Sequence, residues 1–184
     1  MGMAKSKTAS FWLTDRVMLA AADVGSPQTG TIDLGSYVDV GDQQALAIEQ
    51  VDFIFQSASA AGLPQLIRAG SNGDLELAAQ LTDLNPDGAL VFADDPQLVA
   101  SGTLFWDAGN NQVSTGSDFY PDNFGKLDEA RMVVNDQLYV VLGSDGAVAA
   151  GEFMSVTVRV KARIVKLTTK DWMAIAIQST AADN

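Results

Sequence analysis

Hydrophobic and polar residues alternate with a period of two along several stretches of this chain, which is the pattern of β-strands with one buried face. The segments 46–56 and 75–82 alternate in this way. The clearest segment is 153–167, where one face carries Val156, Val158, Val160, Ala162 and Ile164. At ~3.3 Å per residue this strand would be about 50 Å long. We therefore expect a tall sandwich or barrel.

Turn-forming sequences separate the alternating segments, at 71–74, 85–88 and 144–146. Asn135 and Asp136 lie between two apolar segments and predict a two-residue hairpin. We count roughly eight to ten strands, with no alternation of strands and long helices. The predicted fold class is therefore all-β, a single antiparallel β-sandwich of about eight strands.

The hydrophobic period changes after Leu167. Thr168 or Thr169 can cap a helix, and Asp171 would lie in its first turn. Three apolar residues then follow at helical spacing, namely Trp172, Ile175 and Ala176. The sequence predicts a short C-terminal helix over about 170–179.

The organisation of the chain is that of one domain with a short leading arm. The 184 residues suffice for one hydrophobic core, and neither an internal repeat nor a linker divides them. Residues 1–10 are polar and predict an N-terminal arm, followed by a single domain over 11–184. No apolar run near the start has the length of a secretory signal, and we expect no signal peptide.

Composition excludes several kinds of chemistry. The chain has no Cys and no His. Disulfides, zinc–thiolate sites, iron–sulfur clusters and cysteine nucleophiles are therefore excluded, and the commonest general base is missing. Neither a G-x-S-x-G elbow nor a phosphate-binding glycine motif is present. We expect no enzyme, and no catalytic, cofactor-binding or metal-binding residues.

The charge balance is strongly acidic, with 23 Asp and Glu against 11 Lys and Arg, a net charge of −12. This argues against recognition of nucleic acid, which needs a basic surface. The charge keeps copies soluble by repulsion. It suits concentrated salt, where the Debye length is ~3 Å at 1 M, but it also suits an ordinary acidic protein.

Two acidic segments resemble functional sites. Residues 83–88 match the opening of a calcium loop, D-x-N-x-D-G, and Asp94 lies at its twelfth position. The same residues also form a Pro-Asp-Gly turn between strands, for backbone reasons alone. Asp94 and Asp95 would suit a glycosidase pair if a second acid lay opposite. Solvated surface acids are the favoured interpretation of that pair.

Scarce basic residues and exposed aromatic residues are the candidate interface features. The predicted strand 153–167 carries a basic stripe made of Arg159, Lys161, Arg163 and Lys166. It would serve either as a docking surface for an acidic neighbour or lipid headgroup, or as a charged edge that prevents aggregation. Phe119, Tyr120 and Pro121 lie in a long polar loop, and Trp12, Trp106 and Trp172 are better explained by core packing.

Three segments carry a resemblance to a known family: KSKTASFWLTDR at 5–16, AIEQVDFIFQ at 47–56 and VTVRVKARIVK at 156–166. With the acidic surface, they resemble the smaller major capsid proteins of tailless icosahedral viruses with an internal membrane. These viruses infect halophilic archaea, and relatives infect thermophilic bacteria. The family has no short diagnostic motif.

The resemblance implies a fold and a function. The fold would be a single jelly roll of two four-stranded sheets standing upright on the capsid. The function would be that of a structural virion protein, made in the host cytoplasm, which tiles an icosahedral shell. Its partners would be copies of itself or a second, larger capsid protein, with contact to an internal membrane. A carbohydrate- or calcium-binding β-sandwich module is the alternative function.

Overall fold

The structure, a computed structural model, describes residues 5–116 and 131–180. These residues form eleven β-strands, a 3₁₀ turn at Ala21–Asp23 and two α-helices. The strands are β1 (Lys5–Ser6), β2 (Phe11–Ala20), β3 (Gln28–Asp33), β4 (Gln44–Ala58), β5 (Pro64–Gln65), β6 (Ser71–Thr82), β7 (Leu98–Asp107), β8 (Gln112–Thr115), β9 (Arg131–Val133), β10 (Gln137–Val148) and β11 (Phe153–Lys166). The helices are α1 (Ile67–Gly70) and α2 (Thr169–Thr180).

The strands form two sheets with entirely antiparallel pairing. In the first sheet, β11 lies between β4 and the edge formed by β1 and β2, while β5 and β9 pair with the other side of β4. The second sheet has the order β3-β10-β6-β7-β8.

The pairings are nested: β2 with β11, β3 with β10, β4 with β9, and β6 with β7. This is the connectivity of an eight-stranded jelly roll. The predicted fold class, a single jelly-roll sandwich with a short C-terminal helix, is confirmed.

Alternation along β11 explains why it forms the centre of the first sheet. Val156, Val158 and Val160 are fully buried between the sheets, where they pack with Leu77 and Leu142 of the second sheet in one hydrophobic core. β-branched residues on one face of a strand are the best fillers of such a core. β11 pairs with β4 along its whole length, from Phe153 opposite Ala58 to Lys166 opposite Gln44.

A bulge in β4 creates a second, smaller core on the outside of the first sheet. Lys161 pairs with Gln50, but the next residue pairs with Ile48, so Glu49 is the extra residue. On the outer face beyond the bulge, a second cluster contains Ala45, Ala47, Val134, Val165 and Leu167. Helix α2 covers this cluster through Trp172, Ile175 and Ala176.

Three turn predictions are wrong. Residues 71–74 are not a turn, because β6 begins at Ser71 and runs through them. Asn135 and Asp136 do not close a hairpin, because β9 belongs to the first sheet and β10 to the second. The Asp136 carbonyl accepts a hydrogen bond from the Leu34 N–H instead, and the Asn135 side chain donates to the Asp83 carbonyl. The segment 144–146 is not a turn either, since β10 continues through it with an irregularity after Gly146.

The connections are divided between the two ends of the sandwich. At one end, Ala58 pairs with Phe153 and Ser71 pairs with Val148, so the β4–β6 and β10–β11 connections are neighbours. The opposite end has the β6–β7 connection, 83–97, and the start of α2. Among the described residues, no helix is long and apolar enough to cross a membrane.

Candidate functional site

The basic stripe lies on the outer face of the first sheet, but its charges are largely engaged within the subunit. The Arg159 guanidinium lies 4.4 Å from the centre of the Trp12 ring, a cation–π contact. Lys161 Nζ lies 3.9 Å from Glu49 Oε2. Arg163 is buried and bonds to the other oxygen of the same carboxylate. Lys166, at the end of β11, is exposed.

Glu49 is the residue that organises this face, and the sequence analysis missed it. The bulge turns its side chain outward, where the carboxylate forms ion pairs with Lys161 and Arg163. It also accepts a hydrogen bond from the Ser10 hydroxyl at 2.7 Å. The signal in the sequence was Glu49 directly after the apolar run 45–48, in a segment predicted to be a half-buried strand. A carboxylate in such a run needs a partner, because burial of an unpaired charge is costly.

The described part of the predicted N-terminal arm, residues 5–10, is held along β11. The Lys7 N–H donates to the Ile164 carbonyl at 2.8 Å, and the Ile164 N–H donates to the Thr8 hydroxyl at 3.0 Å. β1 continues this edge by pairing Lys5 with Lys166. Residues 5–10 therefore extend the edge of the first sheet.

A buried ion pair occupies the start of the predicted calcium loop. Asp83, whose side chain is 4% exposed, accepts a hydrogen bond from Arg131 at 3.0 Å, and Arg131 also donates to the Pro96 carbonyl. Burial raises the pKa of Asp83, and the charge and hydrogen bond of Arg131 oppose that rise. The charge of Asp95 raises it further. The pair fastens the β6–β7 connection to β9.

The rest of the predicted calcium loop forms a tight turn. Asp87 and Gly88 both have positive φ, at 52° and 74°, and the Ala89 N–H donates to the Pro86 carbonyl at 3.1 Å. The Asn85 side chain accepts from the Asp87 N–H. Within 5–116 and 131–180, no three acidic side chains come together as a metal site would need.

The suggested glycosidase pair is not aligned on a common target. Asp95 accepts from both the backbone N–H and the side-chain amide of Gln97, each at 3.0 Å. Asp94 is exposed beside it. This arrangement is that of a capped turn before β7, not of two carboxylates facing each other across a cleft.

The aromatic candidates divide between core and surface. Trp106 is 7% exposed in the main core, Trp172 packs under α2, and Trp12 is 41% exposed beneath Arg159. Phe119, Tyr120 and Pro121 lie outside the described residues. Among the described residues, the most exposed large apolar side chains were not singled out in the sequence: Phe92 at 86%, Leu66 at 81%, Leu63 at 66% and Val40 at 64%.

The exposed Phe92 belongs to a connection that is fastened to the outer face of the second sheet. The Gln80 side chain both donates to the Val91 carbonyl and accepts from the Val91 N–H, each at 2.8 Å. Leu90 lies against Gly143, where a Cβ would come within 3.2 Å of it. Phe92 therefore projects from a backbone with fixed neighbours.

Comparisons with known proteins give distant structural matches. No family model matches the chain, and the comparison with curated proteins gives no match. The chain is similar to VP1 of Trichodysplasia spinulosa-associated polyomavirus in complex with sialylated precision glycooligomers, with 9% identity and TM-score 0.44 over 86% of this chain and 95% of that one. It is similar to the unassembled KI polyomavirus VP1 pentamer, with 9% identity and TM-score 0.37 over 78% and 74%.

A further match is a recombinantly expressed latent aurone synthase, a polyphenol oxidase, with 14% identity and TM-score 0.33 over 78% of this chain and 25% of that one. Likeness at such TM-scores carries no argument about function. The surfaces of this chain itself are therefore the evidence for its function.

Proposed function

We propose that this chain is a structural virion protein, a single jelly-roll coat subunit that acts by association with other subunits and not by catalysis. The observation that carries the proposal is the display of large apolar side chains on hydrogen-bonded loops in two separate places. Phe92 is 86% exposed beside the outer face of the second sheet, and Leu66 is 81% exposed in the β4–β6 connection at one end of the sandwich. Exposed apolar groups held on fixed backbone are typical of interaction surfaces.

The outer sheet face adds to this support. Helix α2 covers the second cluster with one side and leaves Met173 and Ile177 of its other side 54% and 62% exposed. Most charges of the basic stripe on β11 are paired within the subunit. The apolar side of α2 therefore lies beside a surface whose charge is largely neutralised. Contacts of this kind let identical subunits tile a closed shell.

We also propose a narrower identity, which rests on the sequence resemblance. The subunit would come from a tailless icosahedral virus of a halophilic archaeon, and would be made in the host cytoplasm and located in the virion. It would pair with a second, larger capsid protein and contact an internal membrane. The net charge of −12 supports the halophilic part, since concentrated salt screens the repulsion between such subunits.

Sedimentation velocity tests the proposal, with the purified chain at about 0.1 M and about 2 M salt, where screening differs most. Negative-stain images would show the form of any fast fraction. We expect defined oligomers, sheets or shells at high salt. A monomer at both salt concentrations, up to high protein concentration, would contradict self-association and return attention to the binding-module alternative.

A further inference from the structure

Along one side of the sandwich, an edge strand of the first sheet lies against an edge strand of the second. Among the strands that the structure describes, β2 pairs only with β11 and β3 pairs only with β10. The two edge strands are in direct contact, since a Cβ on Gly30 of β3 would come within 2.7 Å of a Val17 methyl group of β2. β2 has ten residues, and a long free edge is a template on which a strand of another molecule can pair.

Asp15 of β2 faces the interior of the sandwich from this edge. It lies opposite Val158, which is fully buried. Two residues before and after it on the same face are Leu13 and Val17, which pack in the main core or against it. Both of its direct neighbours in the chain are exposed on the other face. The alternation of β2 predicts an apolar residue at this position, and the sequence has a carboxylate instead.

The Asp15 carboxylate has no cation beside it. None of the ion pairs within residues 5–116 and 131–180 includes Asp15. Its side chain lies against the backbone of β3 at Gly30, where a Cβ would overlap a carboxylate oxygen. Asp15 is half-buried, so water still reaches its charge.

We propose that Asp15 guards this edge of the sandwich against pairing with strands of other molecules. A strand added to β2 would extend the first sheet and cut the carboxylate off from water, with no cation to compensate. Burial of an unpaired charge is costly, so pairing along β2 is disfavoured. Inward-pointing charges on edge strands protect sheets in this way. The proposal does not depend on the coat function, because it concerns a contact that the chain avoids.

The same carboxylate should lower the stability of the folded chain. A β-branched apolar side chain at position 15 would join Leu13 and Val17 in the core without a charge to solvate. We therefore expect Asp15→Val to unfold at a higher temperature than the wild type and yet to associate more readily. If Asp15 served only to hold the two edges together, the same substitution would lower the melting temperature.

The test compares Asp15→Val with Asp52→Val by sedimentation velocity over a protein concentration series at about 2 M salt, where repulsion between whole molecules is screened. Asp52 is the matched control, because it lies on β4 of the same sheet, opposite Arg159, and faces outward. Both variants lose one negative charge and gain the same side chain. We expect Asp15→Val to associate at protein concentrations about 10-fold or more below those that the wild type needs, since the penalty for burying an unpaired polar group corresponds to at least that ratio. Asp52→Val should associate like the wild type.

Hydrogen exchange in the associated fraction locates the contact. Backbone amides of β2, residues 11–20, should become protected in Asp15→Val. Asp15→Asn keeps the shape of the side chain and removes its charge, and it should change association and melting temperature in the same direction as Asp15→Val. The proposal is wrong if Asp15→Val stays as dispersed as the wild type, or if Asp52→Val associates equally. It is also wrong if the new protection lies away from β2, or if both variants at position 15 are less stable than the wild type.

Discussion

Glu49 holds the basic side of the first sheet together, and its removal should be costly. Arg163 is 9% exposed, and its Nε and one terminal nitrogen have no hydrogen-bond partner. Its remaining terminal nitrogen bonds to Glu49. The substitution Glu49→Ala would therefore leave a buried guanidinium without any partner.

The magnitude follows from the burial of the pair. Removing one partner of a buried ion pair costs about 3–5 kcal/mol. The Glu49 side chain is 18% exposed, so some water reaches the site. We therefore expect a loss near the lower limit, about 3 kcal/mol. For a chain of this size that corresponds to a melting temperature lower by about 6–12 °C.

Equilibrium unfolding in urea, followed by tryptophan fluorescence and far-UV circular dichroism, measures this loss. Lys161→Ala is the matched control, because Lys161 contacts the same carboxylate at 3.9 Å with a side chain that is 39% exposed. An exposed ion pair contributes less than about 1 kcal/mol. The double change Glu49→Leu with Arg163→Met should recover most of the stability, since it removes both charges. If Glu49→Ala costs no more than Lys161→Ala, the reasoning about Arg163 is refuted.

Three further predictions concern single sites. Burial raises the pKa of Asp83 above its ordinary value of 3.8, so ionisation of Asp83 destabilises the folded wild type. The stability of Asp83→Asn relative to wild type should therefore increase as pH rises from below 3.8 through the folded pKa. Urea unfolding across this pH range measures the difference, and a difference independent of pH would contradict the prediction. Gly146→Ala should lower the free energy of unfolding by about 2 kcal/mol or more, because φ is +126° and a Cβ would overlap the backbone of β6. Gly62→Ala is the control, with φ of +74° and open space around the Cβ, and should lower it by about 1 kcal/mol. Equal losses of stability in urea unfolding would argue against the overlap. Arg159→Gln and Trp12→Leu should show a coupling of about 0.5–1 kcal/mol in a double-mutant cycle, and zero coupling would exclude a contribution from their contact.

Much of the secondary structure could be predicted because it follows from local alternation. The predicted strands over 46–56, 75–82 and 153–167 correspond to β4, β6 and β11, and the predicted helix over 170–179 corresponds to α2. In each segment one face is apolar at the period of the element, so burial and local geometry agree.

Sheet membership could not be predicted from local pattern. A two-residue Asn-Asp connection is suited to a hairpin. The observed connection, 134–136, instead carries the chain from one sheet to the other. The choice depends on β9 pairing with β4, which is more than eighty residues away in sequence. Long-range pairings of this kind are what define a jelly roll, and no residue of the connection itself specifies them.

The candidate surfaces were harder still to predict, because exposure depends on what each loop packs against. Within residues 63–69 only Pro64–Gln65 pairs in a sheet, and a single helical turn follows. The Ser57 hydroxyl donates a hydrogen bond to the Leu66 carbonyl, which fixes the backbone there with the Leu66 side chain facing outward. A hydrophobic residue is expected to be buried, but at this loop position the structure leaves it exposed.

The distribution of charge shows why a count of basic residues misjudges the interface. The sequence suggested that Arg159, Lys161, Arg163 and Lys166 form a basic stripe, able to attract an acidic neighbour. The first three are engaged inside the subunit, with Trp12 or with Glu49, and only Lys166 of the stripe is exposed at the end of β11. Arg131, outside the stripe, is paired with Asp83. Since most of this positive charge is used within the subunit, we expect attraction between copies to come mainly from exposed apolar side chains. Salt should then strengthen association by screening repulsion, whereas a contact made through a basic stripe would weaken as salt rises.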